Sequence, residues 1–281
     1  MSLASLKKIL GDAKDNGYAI PGFDVLEKTS AEAVVMAAEK TNSPVILMVP
    51  EAALPLIDAA EHFEFLAALA KKAKVPVALE LDHGKDIEVI KKAIDAGFTS
   101  VMIDGSELPF DENVALTKKV VEIAHASNVC VEAEIGHVAG GEGNMDGGSS
   151  VDESMYTKPL DAKRFVEETN VDALAIAFGT VHGMYKGTPK LNLKLLEEIK
   201  TMVDVPLVMH GGSGVSDEEF KKAVKSGINK VNFFTEISML AVSSSVEHCI
   251  KKENKLHFVE LITVAKNSVA LKVEHYINLL K

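Results

Sequence analysis

Short apolar runs alternate with longer stretches of helical period from one end of the chain to the other. The apolar runs fall at 18–24, 44–49, 75–82, 100–104, 129–134, 173–178, 206–210 and 230–233. Between them, 30–41, 54–72, 87–96, 112–127, 162–169, 193–202 and 217–226 carry the three- and four-residue apolar spacing of helices with one buried face. Strands buried on both sides read as unbroken apolar runs, which suits a parallel sheet covered by helices. Asp95-Ala96-Gly97 and Lys225-Ser226-Gly227 supply glycine where a helix ends in a left-handed residue. Eight such units in 281 residues predict an α/β fold of the closed (β/α)8 type, a TIM barrel, as one domain over 1–281. An open doubly wound sheet is the alternative, and the count of strands favours closure.

Two segments break the rhythm. Residues 140–159 form a stretch rich in glycine, serine and acids after the fifth strand, of a length that compact domains use for lids or connectors. From Thr235 onward the pattern is helical with no strand left to form, which predicts a C-terminal helical extension that covers the barrel or serves an oligomer contact. Residues 1–17 read as an amphipathic helix without the apolar core of a signal peptide.

Composition narrows the classes. The net charge is −11 and the pI about 5.3, so nucleic acid is not an expected partner. No run of about 18 apolar residues suggests a membrane span. Cys130 and Cys249 have neither metal-ligand nor disulfide-framework spacing. These features predict a soluble, cytoplasmic protein.

The polar residues cluster at the carboxyl ends of the strands, the rim where barrels build their sites. The third strand delivers Asp82-His83-Gly84, the fourth Asp104-Gly105 and the fifth Glu132-Ala133-Glu134. His182-Gly183 follows the sixth, and the seventh runs into His210-Gly211-Gly212-Ser213-Gly214. Alone, each histidine reads as a satisfied structural residue. Three on one rim beside carboxylates fit a zinc site, since catalytic zinc takes three protein ligands and keeps one position open. The Gly211–Gly214 turn offers backbone N–H groups and the Ser213 hydroxyl where barrels often seat a phosphate, although flexible turns produce the same letters. His62, His125, His248, His257 and His275 lie on helical patterns as packing or surface residues, and His137 follows the fifth strand near the rim.

Taken together, LDHG (81–84), SVMIDGS (100–106), VEAEIG (131–136), GTVHGMYKG (179–187), VMHGGSG (208–214) and KVNFFT (230–235) resemble the zinc-dependent class II fructose-bisphosphate and tagatose-bisphosphate aldolases. The likeness runs nearly to Thr235. It implies a dimeric or tetrameric barrel enzyme that cleaves a ketose phosphate reversibly to dihydroxyacetone phosphate and an aldehyde through a metal-stabilised enediolate. It implies Zn2+ on His83, His182 and His210, with Asp104 and Glu134 at a second or alternate position for a metal or monovalent cation. Asp82 matches the family's proton donor, and Glu142 the acid/base of the mobile loop. Gly183, Gly211, Gly212, Ser213 and the segment Asn232, Phe233, Phe234, Thr235 match contacts to dihydroxyacetone phosphate. Lys186, in a glycine-flanked loop, reads equally as a phosphate contact or a solvated lysine.

The departures concentrate on one half of the site. Asp24 and Glu80 stand where the family usually has asparagine and histidine or asparagine; Phe234 replaces an Asp or Asn, Ser238 an arginine. The only arginine is Arg164, and the family's C-terminal arginine segment has no match. Two other readings stay open at this point: a metal-dependent sugar-phosphate hydrolase or isomerase, and a non-catalytic sugar-phosphate binding protein. Pure binding would have no need of Asp82 and Glu142.

Overall fold

A computed structural model describes residues 2–140, 152–183, 185, 187 and 189–281. Eight parallel strands close in sequence order, β1 pairing β2 on one side and β8 on the other. They are β1 (Ile20–Asp24), β2 (Val45–Pro50), β3 (Val77–Gly84), β4 (Ser100–Ile103), β5 (Cys130–Ile135), β6 (Ala173–Ile176), β7 (Leu207–Met209) and β8 (Ile228–Phe233). The helices are α1 (Leu6–Asn16), α2 (Lys28–Thr41), α3 (Ala59–Lys72), α4 (Ile87–Asp95), α5 (Phe110–Ala126), α6 (Pro159–Thr169), α7 (Leu193–Met202), α8 (Asp217–Ser226), α9 (Thr235–Lys251) and α10 (Phe258–Leu279). The closed barrel and its C-terminal helical extension are therefore as the sequence pattern predicts. The stretch 54–72 is not one helix: a 3-10 turn at Glu51–Leu56 precedes α3. Pro55 sits in that turn, and Asp58 caps α3 by accepting the N–H of Glu61 at 3.0 Å.

Strand parity sorts the core. Leu47, Leu79, Val101, Val131 and Leu174 point out to the helices in one apolar cluster. Ile20, Ile46, Ala78, Cys130, Ala173 and Val208 point inward and form a second cluster with Leu6, Ile9, Leu10 and Ala13 of α1. The amphipathic first helix thus plugs the amino-terminal mouth. Two residues further along, the inward parity carries Glu80, Glu132 and Lys230, all fully buried, and then Asp82, Glu134 and Asn232. The strand period itself converts an apolar floor into a polar rim.

The tail is built into the fold. Phe23, Phe233 and Tyr276 stack in sequence, with centroids 5.5 and 3.9 Å apart. The Tyr276 hydroxyl donates to Glu236 at 2.5 Å, and Leu280 O accepts the N–H of Ala19 at 2.9 Å. Among the described residues no helix is long and apolar enough to cross a membrane. Tyr276→Ala removes a ring that seats β1, β8 and α10 together, and should cost about 3–5 kcal/mol in denaturant unfolding. Tyr276→Phe should cost about 1 kcal/mol. A loss below about 1 kcal/mol for the alanine variant would show that α10 is a dispensable cover.

Candidate active site

The histidines reach one point by three local devices. His83 has φ +44°, a left-handed backbone that costs a β-strand residue about 1–2 kcal/mol, and the β3–β4 register shifts between Leu81 and Gly84. His182 lies after β6 and is tied to the segment after β5. Its N–H donates to Ala139 O at 2.8 Å and its Nδ1 meets Val138 O at 3.2 Å. His210 is the first residue beyond β7 and is wholly buried. The three rings stand roughly perpendicular to one another, with centroids 4.6, 4.9 and 5.6 Å apart. One ligand atom from each lies within 4.8 Å of the other two.

The outer nitrogens are tethered. Nδ1 of His83 meets Asp104 Oδ2 at 2.8 Å, and Nε2 of His210 meets Glu132 Oε1 at 2.9 Å. Burial alone would raise Asp104, yet the His83 ring and the Ser106 N–H hold it well below the usual carboxylate range. Burial would likewise raise Glu132, yet Lys230 and His210 hold it at about 2. Both carboxylates are thus acceptors, so the outer nitrogens donate to them and the inner ones turn toward each other. Those inner atoms, His83 Nε2 and His210 Nδ1, face each other at 2.8 Å. That is hydrogen-bond distance, with the donor set by which ring carries the proton, and a ligand atom of His182 converges on the same point. Val138 O fixes the same tautomer on His182, leaving Nε2 as its donor atom.

A second cluster adjoins the first, with donor atoms of His83, Asp104 and Glu134 within 4.8 Å. Glu134 Oε1 accepts the N–H of Val138 at 3.0 Å, whereas Oε2 is buried without a hydrogen-bond partner. Burial, with the nearby charge of Asp104, pushes Glu134 up to about 8. Imidazole nitrogens and an unsatisfied carboxylate oxygen are the donor chemistry of a divalent-cation site, so the residues fit a metal. Asp82, also fully buried, lies 4.0 Å from His83 Nε2, and Asn232 Nδ2 donates to its two oxygens at 3.4 and 3.5 Å.

Beside the histidines runs a narrow crevice lined by Asp24, His182, Gly183, the Gly211–Ser213 turn and residues 232–235. Gly211 has φ +69°, and a Cβ there would lie 2.2 Å from Val181 O. Glycine lets the turn close onto the sixth loop, and the turn is held by Gly212 N–H donating to Asn232 O at 3.1 Å and Gly214 N–H donating to Glu236 at 3.3 Å. The N-terminus of α9 opens on the same crevice, and Ser213 Oγ accepts the N–H of Glu236 at 3.2 Å. Backbone N–H groups with a helix N-terminus favour an anion. Asp24 opposes it.

On the other side lies a cavity of about 580 Å³ lined by His83, His182, Asp104, Glu134, His137 and Val138, and beyond them by Glu51, Ala52, Pro55, Lys85, Ser106, Glu107 and Gly140. Lys85 Nζ pairs with Glu107 at 2.9 Å, and Glu51 accepts the N–H groups of Lys85 and Asp86 at 2.8 and 3.1 Å. The motif reading missed Glu51, Lys85, Ser106 and Glu107. They stand one to four residues past the ends of β2, β3 and β4, so carrying the strand-end search that far would have found them. Glu142 and Lys186 lie outside the described residues. Arg164 is on the outer surface, paired with Asp111 at 2.7 Å and Glu168 at 2.6 Å.

With this geometry in view, known proteins give a consistent answer. Residues 4–281 match the family model for class-II fructose-bisphosphate aldolase. A fructose-bisphosphate aldolase of Staphylococcus aureus (strain Mu50 / ATCC 700699) is 41% identical over 266 residues, covering 92% of this chain and 89% of the relative. The crystal structure of the YdjI aldolase from Escherichia coli K12 superposes with a TM-score of 0.86 at 33% identity, covering 99% of this chain and 97% of that one. A putative fructose-1,6-biphosphate aldolase from Coccidioides immitis gives 0.86 at 29% identity, over 98% and 95%. Family match, sequence identity and barrel agree over almost the full length, and the chain belongs to the class II fructose-bisphosphate aldolase family, an enzyme of the aldehyde-lyase kind.

Proposed function

We propose that the protein is a zinc-dependent aldolase that reversibly cleaves a ketose phosphate to dihydroxyacetone phosphate and an aldehyde. The observation that carries this reading is the convergence of His83, His182 and His210, whose ligand atoms lie within 4.8 Å of one another, between a narrow glycine-lined crevice and an open cavity. His83, His182 and His210 would hold the zinc, and Asp104 and Glu134 a second or alternate cation. When bound, zinc supplies Lewis-acid polarisation of the substrate ketone, with no need of a Schiff-base lysine. The glycine crevice, Ser213 and residues 232–235 grip the triose phosphate, joined by Lys186. Cleavage breaks the carbon–carbon bond as the adjacent hydroxyl loses its proton, and Asp82, buried and steadied by Asn232, takes that proton. Glu142 returns a proton to the carbon of the departing triose phosphate. The working assembly is a homodimer or homotetramer.

The far end of the cavity argues for a particular substrate. Among the described residues Lys85 is the one lysine or arginine lining it, and Glu107 already engages its charge. The stretch 141–151 contains no lysine or arginine. A guanidinium fork is the preferred grip on a phosphate, and the only arginine is on the outer surface. A neutral polyol fits this end better than a second phosphate.

Removing zinc with a chelator should abolish aldol cleavage, and adding zinc or cobalt should restore it. Asp82→Ala should keep bound zinc and triose phosphate affinity while lowering turnover by roughly 100-fold or more. Full activity in metal-free protein, or an Asp82→Ala enzyme at parental turnover, would refute the mechanism. On a panel of ketose mono- and bisphosphates, fructose 1,6-bisphosphate should fall about ten- to a hundredfold below the best ketose 1-phosphate in kcat/KM, the cost of one charge-assisted contact. If the bisphosphate ranks first, the specificity argument fails and another cation serves that end.

A further inference from the structure

Inside the barrel, between the apolar plug and the rim, lie three ionisable side chains with no exposure to water. Lys230 Nζ sits 2.5 Å from Glu80 Oε2 and 2.7 Å from Glu132 Oε2. Barrel interiors are normally filled by branched apolar residues, and a buried ion pair is seldom more stabilising than an apolar substitute of the same volume. Stability alone therefore gives a poor reason for this layer. Its connections give a better one. Glu132 is used at both oxygens: Oε2 meets the lysine and Oε1 accepts the Nε2 proton of His210 at 2.9 Å. Rotating that carboxylate breaks one contact or the other. Lys230 is in turn braced by Glu80, a residue that stands where related aldolases usually carry histidine or asparagine.

We propose that Lys230, braced by Glu80, is a positioning residue that acts through Glu132 to fix Nδ1 of His210 as the atom offered to a divalent cation. This rests on the reading of the three histidines as a metal site. Lys230 and Glu132 line neither the cavity nor the crevice, and Glu132 reaches the site through His210. They hold the ring in one tautomer and one orientation, as outer partners of ligating histidines do. Glu132 supplies the acceptor, Lys230 keeps that acceptor charged and immobile, and Glu80 keeps the ammonium from swinging away.

The test uses the full-length protein, with zinc affinity measured by chelator competition and the visible spectrum of the cobalt-substituted form. Glu132→Gln should weaken zinc binding about 10- to 100-fold and shift the cobalt bands. Lys230→Met should do the same to a similar or lesser degree. The double variant should be no worse than Glu132→Gln alone, because the lysine acts through the carboxylate. Variants whose metal-free thermal midpoints fall while zinc affinity stays within twofold and the cobalt spectrum is unchanged would overturn the proposal, leaving the triad a structural ion pair. Additive losses in the double variant would overturn it as well. Should Lys230→Met not accumulate folded, Lys230→Gln, one atom shorter and keeping a donor but not the charge, is judged by the same criteria. A parent protein that binds no zinc would instead sink the metal reading, so the two failures are distinguishable.

Discussion

Nε2 of His83 and Nδ1 of His210 are held face to face at 2.8 Å, and much of the rim is arranged around keeping them there. Left to themselves the rings of His83 and His210 would be free to turn about their side-chain bonds. Each is prevented by a carboxylate on its far side, Asp104 for one and Glu132 for the other. The carboxylates are anchored in turn, Asp104 by the Ser106 N–H at 3.0 Å and Glu132 by Lys230. β3 and β7 are not neighbours in the sheet, so only closure of the barrel brings these two histidines across from one another. The left-handed backbone at His83 is the local strain that this meeting requires.

The site is electrostatically lopsided. Toward the crevice, the start of α9 brings the positive end of a helix dipole, which suits an anion. Toward the cavity the lining is acidic, with Glu51, Glu107, Asp104 and Glu134 against one engaged lysine. A ligand with a phosphate at one end and hydroxyls at the other matches that gradient. A ligand with phosphates at both ends matches half of it.

Much of this was legible in the sequence because strand ends and barrel topology are linked. Eight apolar runs fixed the architecture, and the polar residue closing each run placed His83, His182, His210, Asp104 and Glu134 in one neighbourhood. Other features do not leave such a trace. Nothing local to 54–72 outweighed its helical period, although Pro55 and Asp58 break it. Glu80, Glu132 and Lys230 meet only after β3, β5 and β8 close around the axis, and no spacing along the chain encodes that contact. The tautomers follow from carboxylates on other strands. Residues such as Glu51 and Glu107 belong to no motif, because their distance from the rim depends on how each loop folds back. The roles proposed for Asp82, Glu142 and residues 232–235 rest on family likeness, whereas the Gly211–Gly214 turn stood out by its place after the seventh strand; Glu142 and Lys186 lie outside the described residues.

The central claim is that the inner nitrogens of these three histidines are organised to share one cation. Diffraction from zinc-loaded crystals at wavelengths either side of the zinc absorption edge tests it directly. The account predicts an anomalous peak bonded to Nε2 of His83, Nε2 of His182 and Nδ1 of His210 at about 2.0–2.1 Å. A peak elsewhere, or zinc bound with the His210 ring reversed so that Nε2 is the ligand, would contradict it.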